Sequence, residues 1–147
     1  MAYNVIVVGT DGSERAAIAV TEAMVLAKAT GGKLHVVHAV HPAVEAGYTE
    51  SKSGQLTIDK ARHGVEGFRA ALMDEAARQG VEAEVHNPGS TDPADALIEA
   101  AESLDADLVV VGNKGTTGVS RFVLGSVPNK VAHHCPCSVM IVNTDAK

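Results

Sequence analysis

The sequence predicts an α/β domain built on a doubly wound, five-stranded parallel sheet with helices on both faces. Three observations carry that expectation. Five short runs rich in Val, Ile and Leu recur along the 147 residues, and a helical pattern separates each from the next. A helix between successive strands is a crossover connection, which sets those strands parallel. Most of the runs are continuously apolar, as strands buried on both faces must be. A chain of this length, residues 1–147, makes one domain with room for a sizeable core.

The first strand is Val5-Ile6-Val7-Val8, followed by a helix from Ser13 to Thr30. Ala16, Val20, Ala23, Met24 and Ala27 share one face of that helix, and Gly31-Gly32 stops it. The second strand runs from Leu34 to Val40. His41 to Gln55 fits no element, and a loop of that length is either functional or a surface excursion. Ile58 to Gln79 carries Ala61, Val65, Phe68, Leu72 and Ala76 at helical steps, with Gly80 as the stop. Gly64 and Gly67 weaken this helix by roughly 1 kcal/mol each relative to Ala.

Val81 to Val85 alternates apolar and charged residues, which places the third strand at an edge. Asp92-Pro93 opens the third helix as N-cap and first position, with Ala96, Leu97, Ala100 and Leu104 inward. Leu108 to Val111 is the fourth strand, Ser126 to Cys135 the fourth helix, and Ser138 to Val142 the fifth strand. Ser126 reads as the N-cap of that last helix, with Pro128 in its first turn.

Composition excludes several classes. The net charge of −6 argues against general nucleic-acid affinity, which needs a basic surface. No apolar run approaches the roughly 18 residues of a membrane helix. Met1-Ala2-Tyr3-Asn4 lacks the basic flank of a signal peptide, so a cytoplasmic location is expected. Two cysteines only two positions apart make no disulfide framework. With 3% aromatic residues and no Trp, the core falls to Val, Ala, Leu and Ile.

Two strands end in glycine and a polar loop: Gly9-Thr10-Asp11-Gly12-Ser13 and Gly112-Asn113-Lys114-Gly115. The second leads through Arg121 to Gly125-Ser126-Val127-Pro128 at a helix start. Glycines let backbone N–H groups approach an anion, and a helix N-terminus adds unpaired donors and a positive dipole end. Strand, glycine-rich loop and helix start together point to a phosphate group. Lys114 and Arg121 are candidates to screen its charge. Neither the Gly-Lys-Ser/Thr of a Walker A loop nor the G-x-G-x-x-G dinucleotide fingerprint is present. Were the two strands neighbours, Asp11 would lie beside the phosphate loop, where a carboxylate suits a ribose hydroxyl or Mg²⁺. The competing role for Asp11 is to cap the first helix.

The spacing G-2x-G-9x-G-S, met by Gly112, Gly115, Gly125 and Ser126, resembles that of ATP-binding universal stress proteins. The likeness extends to Ile6 through Ser13 and to Val131 through Val142, and spans essentially the whole chain. It implies strand order 3-2-1-4-5, with Asp11 near ribose and triphosphate and main chain at Val40 against the adenine. Gly112 and Gly115 would approach ribose and phosphates, and Gly125, Ser126 and Val127 would bind phosphate. Family members commonly form homodimers through the last strand, here Ser138 to Val142. An unpaired apolar edge favours such a pairing on physical grounds as well. Asn113-Lys114 departs from the His or Arg that many ATP-binding members carry. Gly-Asn here, followed by Leu124 to Pro128, is closer to members that favour cyclic AMP.

The expected function is therefore an adenine-nucleotide-binding protein of stress response or signalling, taking ATP with Mg²⁺ held by Asp11. The alternatives are a cyclic AMP sink or sensor and a nucleotide-free dimeric interaction module. No clear base or nucleophile stands out, so at most slow ATP hydrolysis is expected. His133-His134-Cys135-Pro136-Cys137 crowds its donors too closely to surround one tetrahedral ion, and His35, His38 and His41 read as structural or surface histidines.

Overall fold

Residues 3–39, 58–88, 92–114 and 124–145 are described by the computed structural model, with backbone alone for residues 58–65. In chain order the elements are β1 (Val5–Thr10), α1 (Glu14–Thr30), β2 (Lys33–His38), α2 (Ile58–Gln79), β3 (Ala83–His86), α3 (Pro93–Ser103), β4 (Leu108–Gly112), α4 (Ser126–His134) and β5 (Ser138–Val142). Val40, the 41–55 stretch, Gly115 and Arg121 lie outside the described residues.

All four strand pairings are parallel, and the order across the sheet is β3-β2-β1-β4-β5. Alternate residues of each inner strand feed opposite faces, as the two-residue period of a strand requires. Ile6, Val8, Leu34, Val36, Leu108 and Val110 pack under α1 and α2 with Ala23, Met24 and Leu72. Val7, Val37, Val109 and Val111 face α3 and α4, meeting Leu97, Ala101 and Val131. Small helix residues let the helices sit close on a sheet whose buried side chains are mostly Val, Ile and Leu. Gly9 belongs to that packing, since a Cβ there would stand 2.8 Å from Leu97 Cδ1.

The helix ends follow from local chemistry. Ser13 caps α1, its Oγ accepting from the Ala16 N–H at 3.1 Å. Gly31, with φ of +73°, closes it in the left-handed conformation that costs glycine little. Asp92 caps α3, with Oδ1 accepting from Ala94 and Asp95. The buried face of α3 is Ala94, Ala96, Leu97 and Ala101. Ala100 and Leu104, expected inward, are only half-buried because that side of α3 borders a surface cleft. The second strand, expected to reach Val40, ends at His38, and the next amide, Ala39 N–H, donates to Thr10 O at 3.0 Å.

β3 alternates buried and exposed positions at one edge, as its sequence predicts. β5 forms the other edge and is more open, with Met140 38% and Ile141 39% exposed. No helix among the described residues is long and apolar enough to cross a membrane.

The start of β1 is tied to the start of β4 by Asp107. Its Oδ2 accepts from the N–H groups of Asn4 and Val5, both at 2.9 Å, while its own N–H donates to Val5 O. Asp107→Ala removes the charged acceptor and is expected to lower unfolding free energy by about 1–3 kcal/mol. Urea denaturation checks this, and Asp107→Asn should recover part of the loss because it keeps one oxygen acceptor.

Candidate functional site

Parallel order places the carboxyl ends of all five strands on one side, but helices leave that side in two directions. β1 feeds α1, which packs on one face, whereas β4 feeds α4 on the other. β1 and β4 are hydrogen-bonded neighbours, with Val7 opposite Val109 and Val8 opposite Val110. The loops after them therefore diverge to opposite faces and leave a crevice between. This is the topological switch point where sheets of this kind bind ligands.

On the β1 side, Thr10 is buried and its Oγ1 accepts from the Gly12 N–H at 3.0 Å. Asp11 is exposed, and its Oδ1 accepts from the Ser13 N–H at 2.9 Å. Asp11 thus shapes the turn into α1, while Ser13 supplies the cap itself. Gly12 has φ of +84°, and a Cβ there would lie 3.1 Å from His38 Nε2.

On the β4 side, Asn113 organises the loop. Its N–H donates to Val142 O, and its Oδ1 accepts from Thr144 N–H and Thr144 Oγ1 at 3.0 and 2.9 Å. Its carbonyl accepts from the Gly125 N–H at 2.9 Å, drawing the start of α4 back to the end of β4. Gly112 makes room for Thr144, whose Cγ2 would lie 3.0 Å from an added Cβ. The Lys114 side chain is 5% exposed, and its Nζ donates to Asp145 Oδ1 at 2.8 Å. That ammonium is neutralised within the fold.

The N-cap of α4 is Gly125, and Ser126 is the first helical residue, one position later than the sequence suggests. Gly125 holds the cap position in extended backbone, φ −62° and ψ 164°, and an added Cβ there would meet Asn113, Lys114 and Pro128 only at ordinary contact distances of 3.5 Å. No side chain among the described residues caps this helix, in contrast to Ser13 on α1 and Asp92 on α3. Among the described residues the N–H groups of Ser126 and Val127 thus have no side-chain cap, and with the exposed Ser126 hydroxyl beside them they suit an anion. The fold brings together Gly9, Thr10, Asp11, Gly112, Asn113, Lys114, Gly125, Ser126 and Val127 at one end of the sheet.

These features are those of a recognisable group of proteins. The family model described as universal stress protein family matches residues 2–143. The chain belongs to the universal stress protein family. A Staphylococcus aureus protein named as a universal stress protein is 30% identical over 148 residues, covering 97% of this chain and 86% of that relative. Among solved structures, a universal stress protein in complex with cAMP is 33% identical with a TM-score of 0.73, covering 99% of this chain and 100% of that one. A universal stress protein from Archaeoglobus fulgidus in complex with dAMP is 24% identical with a TM-score of 0.63, covering 96% and 98% of the two chains, and shares the fold.

One residue bordering the crevice of this universal stress protein was not singled out from the sequence. His38, at the end of β2, is 4% exposed, lies beside Gly12, and packs its ring on Phe68 at a centroid distance of 4.4 Å. Its Nδ1 has no hydrogen-bond partner among the described residues. The signal available was a polar residue ending an otherwise buried strand beside a glycine-rich turn.

Burial pushes the His38 imidazole below its ordinary range, and the Asp11 carboxylate opposes this only in part. Burial, followed by the nearby His86 and Lys33, likewise lowers His35. Both rings take up a proton less readily in the folded chain than in the unfolded one. Their contribution is complete above about pH 6.5 and is lost as pH falls through the depressed folded values. Denaturation midpoints are expected to drop between about pH 7 and pH 5, and less steeply in His38→Phe, which keeps the ring packing and removes the titration.

Proposed function

We propose that this universal stress protein binds an adenine nucleotide across the carboxyl ends of β1 and β4, in a stress-response or signalling role without catalysis. The uncapped N-terminus of α4 at the switch point carries the reading. Its backbone donors and dipole suit a phosphate, with Ser126 and Val127 in the first turn and Gly112 on the approach. Asp11, exposed at the end of β1, is the acceptor for a ribose hydroxyl.

Within this class, two observations favour cyclic AMP over ATP. A relative at 33% identity was crystallised with cAMP. Lys114 is paired with Asp145 instead of being offered to a chain of phosphates. ATP remains the reading of the glycine spacing. For it, Asp11 fits as the single carboxylate of a Mg²⁺ ion whose remaining ligands are phosphates and water. The ion would neutralise phosphate charge, while Asp11 would orient it. Hydrolysis needs a positioned water and stabilisation of the transferred group, and of the acids described at this end of the sheet Asp145 is engaged by Lys114 while Asp11 stands exposed. A slow ATPase is the catalytic limit of this reading.

The open apolar edge of β5 supports a homodimer through Ser138 to Val142, which would cover Met140 and Ile141. Such an assembly provides a way for bound nucleotide to be read out by partners. The protein's work then lies in which conformation or assembly the nucleotide favours.

Calorimetric titration with cyclic AMP, AMP and ATP, the last with and without Mg²⁺, tests the reading. Saturable binding of at least one is expected, and absence of binding at millimolar concentration by all would defeat the proposal. Ser126→Ala is expected to weaken binding by about 2- to 10-fold through loss of one hydroxyl contact. Gly115→Val is expected to abolish binding while the denaturation midpoint stays near that of the parent, since the family resemblance implies that Gly115 approaches the phosphates.

A further inference from the structure

A second cluster of chemically able side chains lies away from the switch point, on β2 and β3. Parallel register sets His35 opposite Glu84 and Val37 opposite His86. Residues two apart on a strand share a face, so His35, Glu84 and His86 project to the same side of the sheet edge. His35 Nδ1 and His86 Nε2 are 2.9 Å apart, and Glu84 Oε2 stands 3.7 Å from His35 Nδ1. The potential ligand atoms of all three lie within 4.8 Å of one another. This is the one such group of three or more His, Cys, Asp or Glu donors among the described residues.

We propose that His35, Glu84 and His86 form a binding site for one divalent cation of the zinc class. Two imidazole nitrogens and a carboxylate are the donor set that zinc takes when it keeps a fourth position open. Around a tetrahedral ion with bonds of about 2.0–2.1 Å, ligand atoms sit roughly 3.3 Å apart. The observed 2.9 and 3.7 Å bracket that value, and the Glu84–His86 pair lies within 4.8 Å, so side-chain adjustment on the edge strand would complete the site. His35 is buried and fixes the position, while His86 and Glu84 stand on the edge strand, where side chains have room to turn. His86 also forms part of the wall of a cleft of about 520 Å³ with Val37, Glu99 and Leu104, which gives an ion a way in from solvent.

The same place already attracts a cation. Lys33 Nζ lies 2.8 Å from Glu84 Oε2 and 3.6 Å from Glu82 Oε1. A metal would displace the ammonium from Glu84, and Glu82 is at hand to receive it. Lys33 therefore acts as a competitor that lowers metal affinity without belonging to the site. The proposal does not rest on nucleotide binding, and the site shares no residue with the strand-end crevice.

The test is zinc titration against a chromogenic chelator, with the protein carrying Cys135→Ser and Cys137→Ser. Those thiols lie 3.7 Å apart and would otherwise offer zinc a second home. One zinc per chain is expected, weakened at least about tenfold by His86→Ala and also by Glu84→Gln. Lys33→Gln should tighten it severalfold by removing the competing charge. Zinc should shift the ring resonances of His35 and His86 in NMR spectra while leaving those of His133 and His134 in place. Lack of saturable binding at tens of micromolar zinc would overturn the site. So would full-strength binding in both His86→Ala and Glu84→Gln, or zinc-dependent shifts confined to His133 and His134. Far-UV circular dichroism confirms that each variant is folded, and Glu84→Gln, on the exposed side of the edge strand, serves where His86→Ala is not.

Discussion

The hydrogen-bonded pairing of β1 with β4 at the middle of the sheet is the contact on which the rest of the molecule depends. β1 is the first strand in the chain and the central one in space. β2 and β3 are laid down to one side of it, each reached by a helix on the same face. The chain then returns past β1 to add β4 and β5 on the other side, with helices on the opposite face. Right-handed crossovers make that reversal unavoidable once the strand order changes direction. The crevice at the strand ends is thus a consequence of topology, present before any particular side chain is placed in it.

Packing constrains what can stand there. The three inner strands are buried on both faces, so their Val, Ile and Leu side chains leave no slack for large groups near the centre. Gly9 accommodates Leu97, and Gly112 accommodates Thr144. Two glycines that read as ligand-approach positions are therefore also packing requirements, and both roles follow from the same missing Cβ. Polar residues at this end are bound into the frame in the same manner. Asn113 joins β4, the segment after β5, and the start of α4, while Lys114 meets Asp145. Among the described residues the first turn of α4 carries no side-chain cap, and that is why the proposed phosphate site rests on its backbone and not on a charged side chain.

The two edges of the sheet differ in the same physical terms. β3 carries Glu84 and His86 outward, and Lys33 on the neighbouring strand answers them. Charged and polar groups on an edge discourage further strand addition. β5 shows Met140 and Ile141 instead. One edge is suited to ions and water, the other to apolar cover, so the two ends of one sheet can serve different purposes without interfering.

The sequence by itself determined the elements, because their causes are local. Continuous Val and Ile runs, helical spacing of Ala and Leu, the Ser13 and Asp92 caps and the Gly31 and Gly80 stops all act within a turn or two of the chain. The strand-end loops were legible for the same reason, and so was the edge character of β3. Strand order itself came from resemblance, since periodicity does not say which strand lies beside which. Tertiary structure alone decided the pairings across distance: Asn113 with Thr144 and Lys114 with Asp145, each 31 positions apart, and His35 with His86, 51 positions apart. It also moved the cap of α4 from Ser126 to Gly125 and sank His38 beside Gly12. Successive histidines three positions apart along a strand fall on opposite faces, so they looked unrelated to any one site. Register with β3 gave His35 its partners, and register is a property of two strands that neither strand's sequence contains.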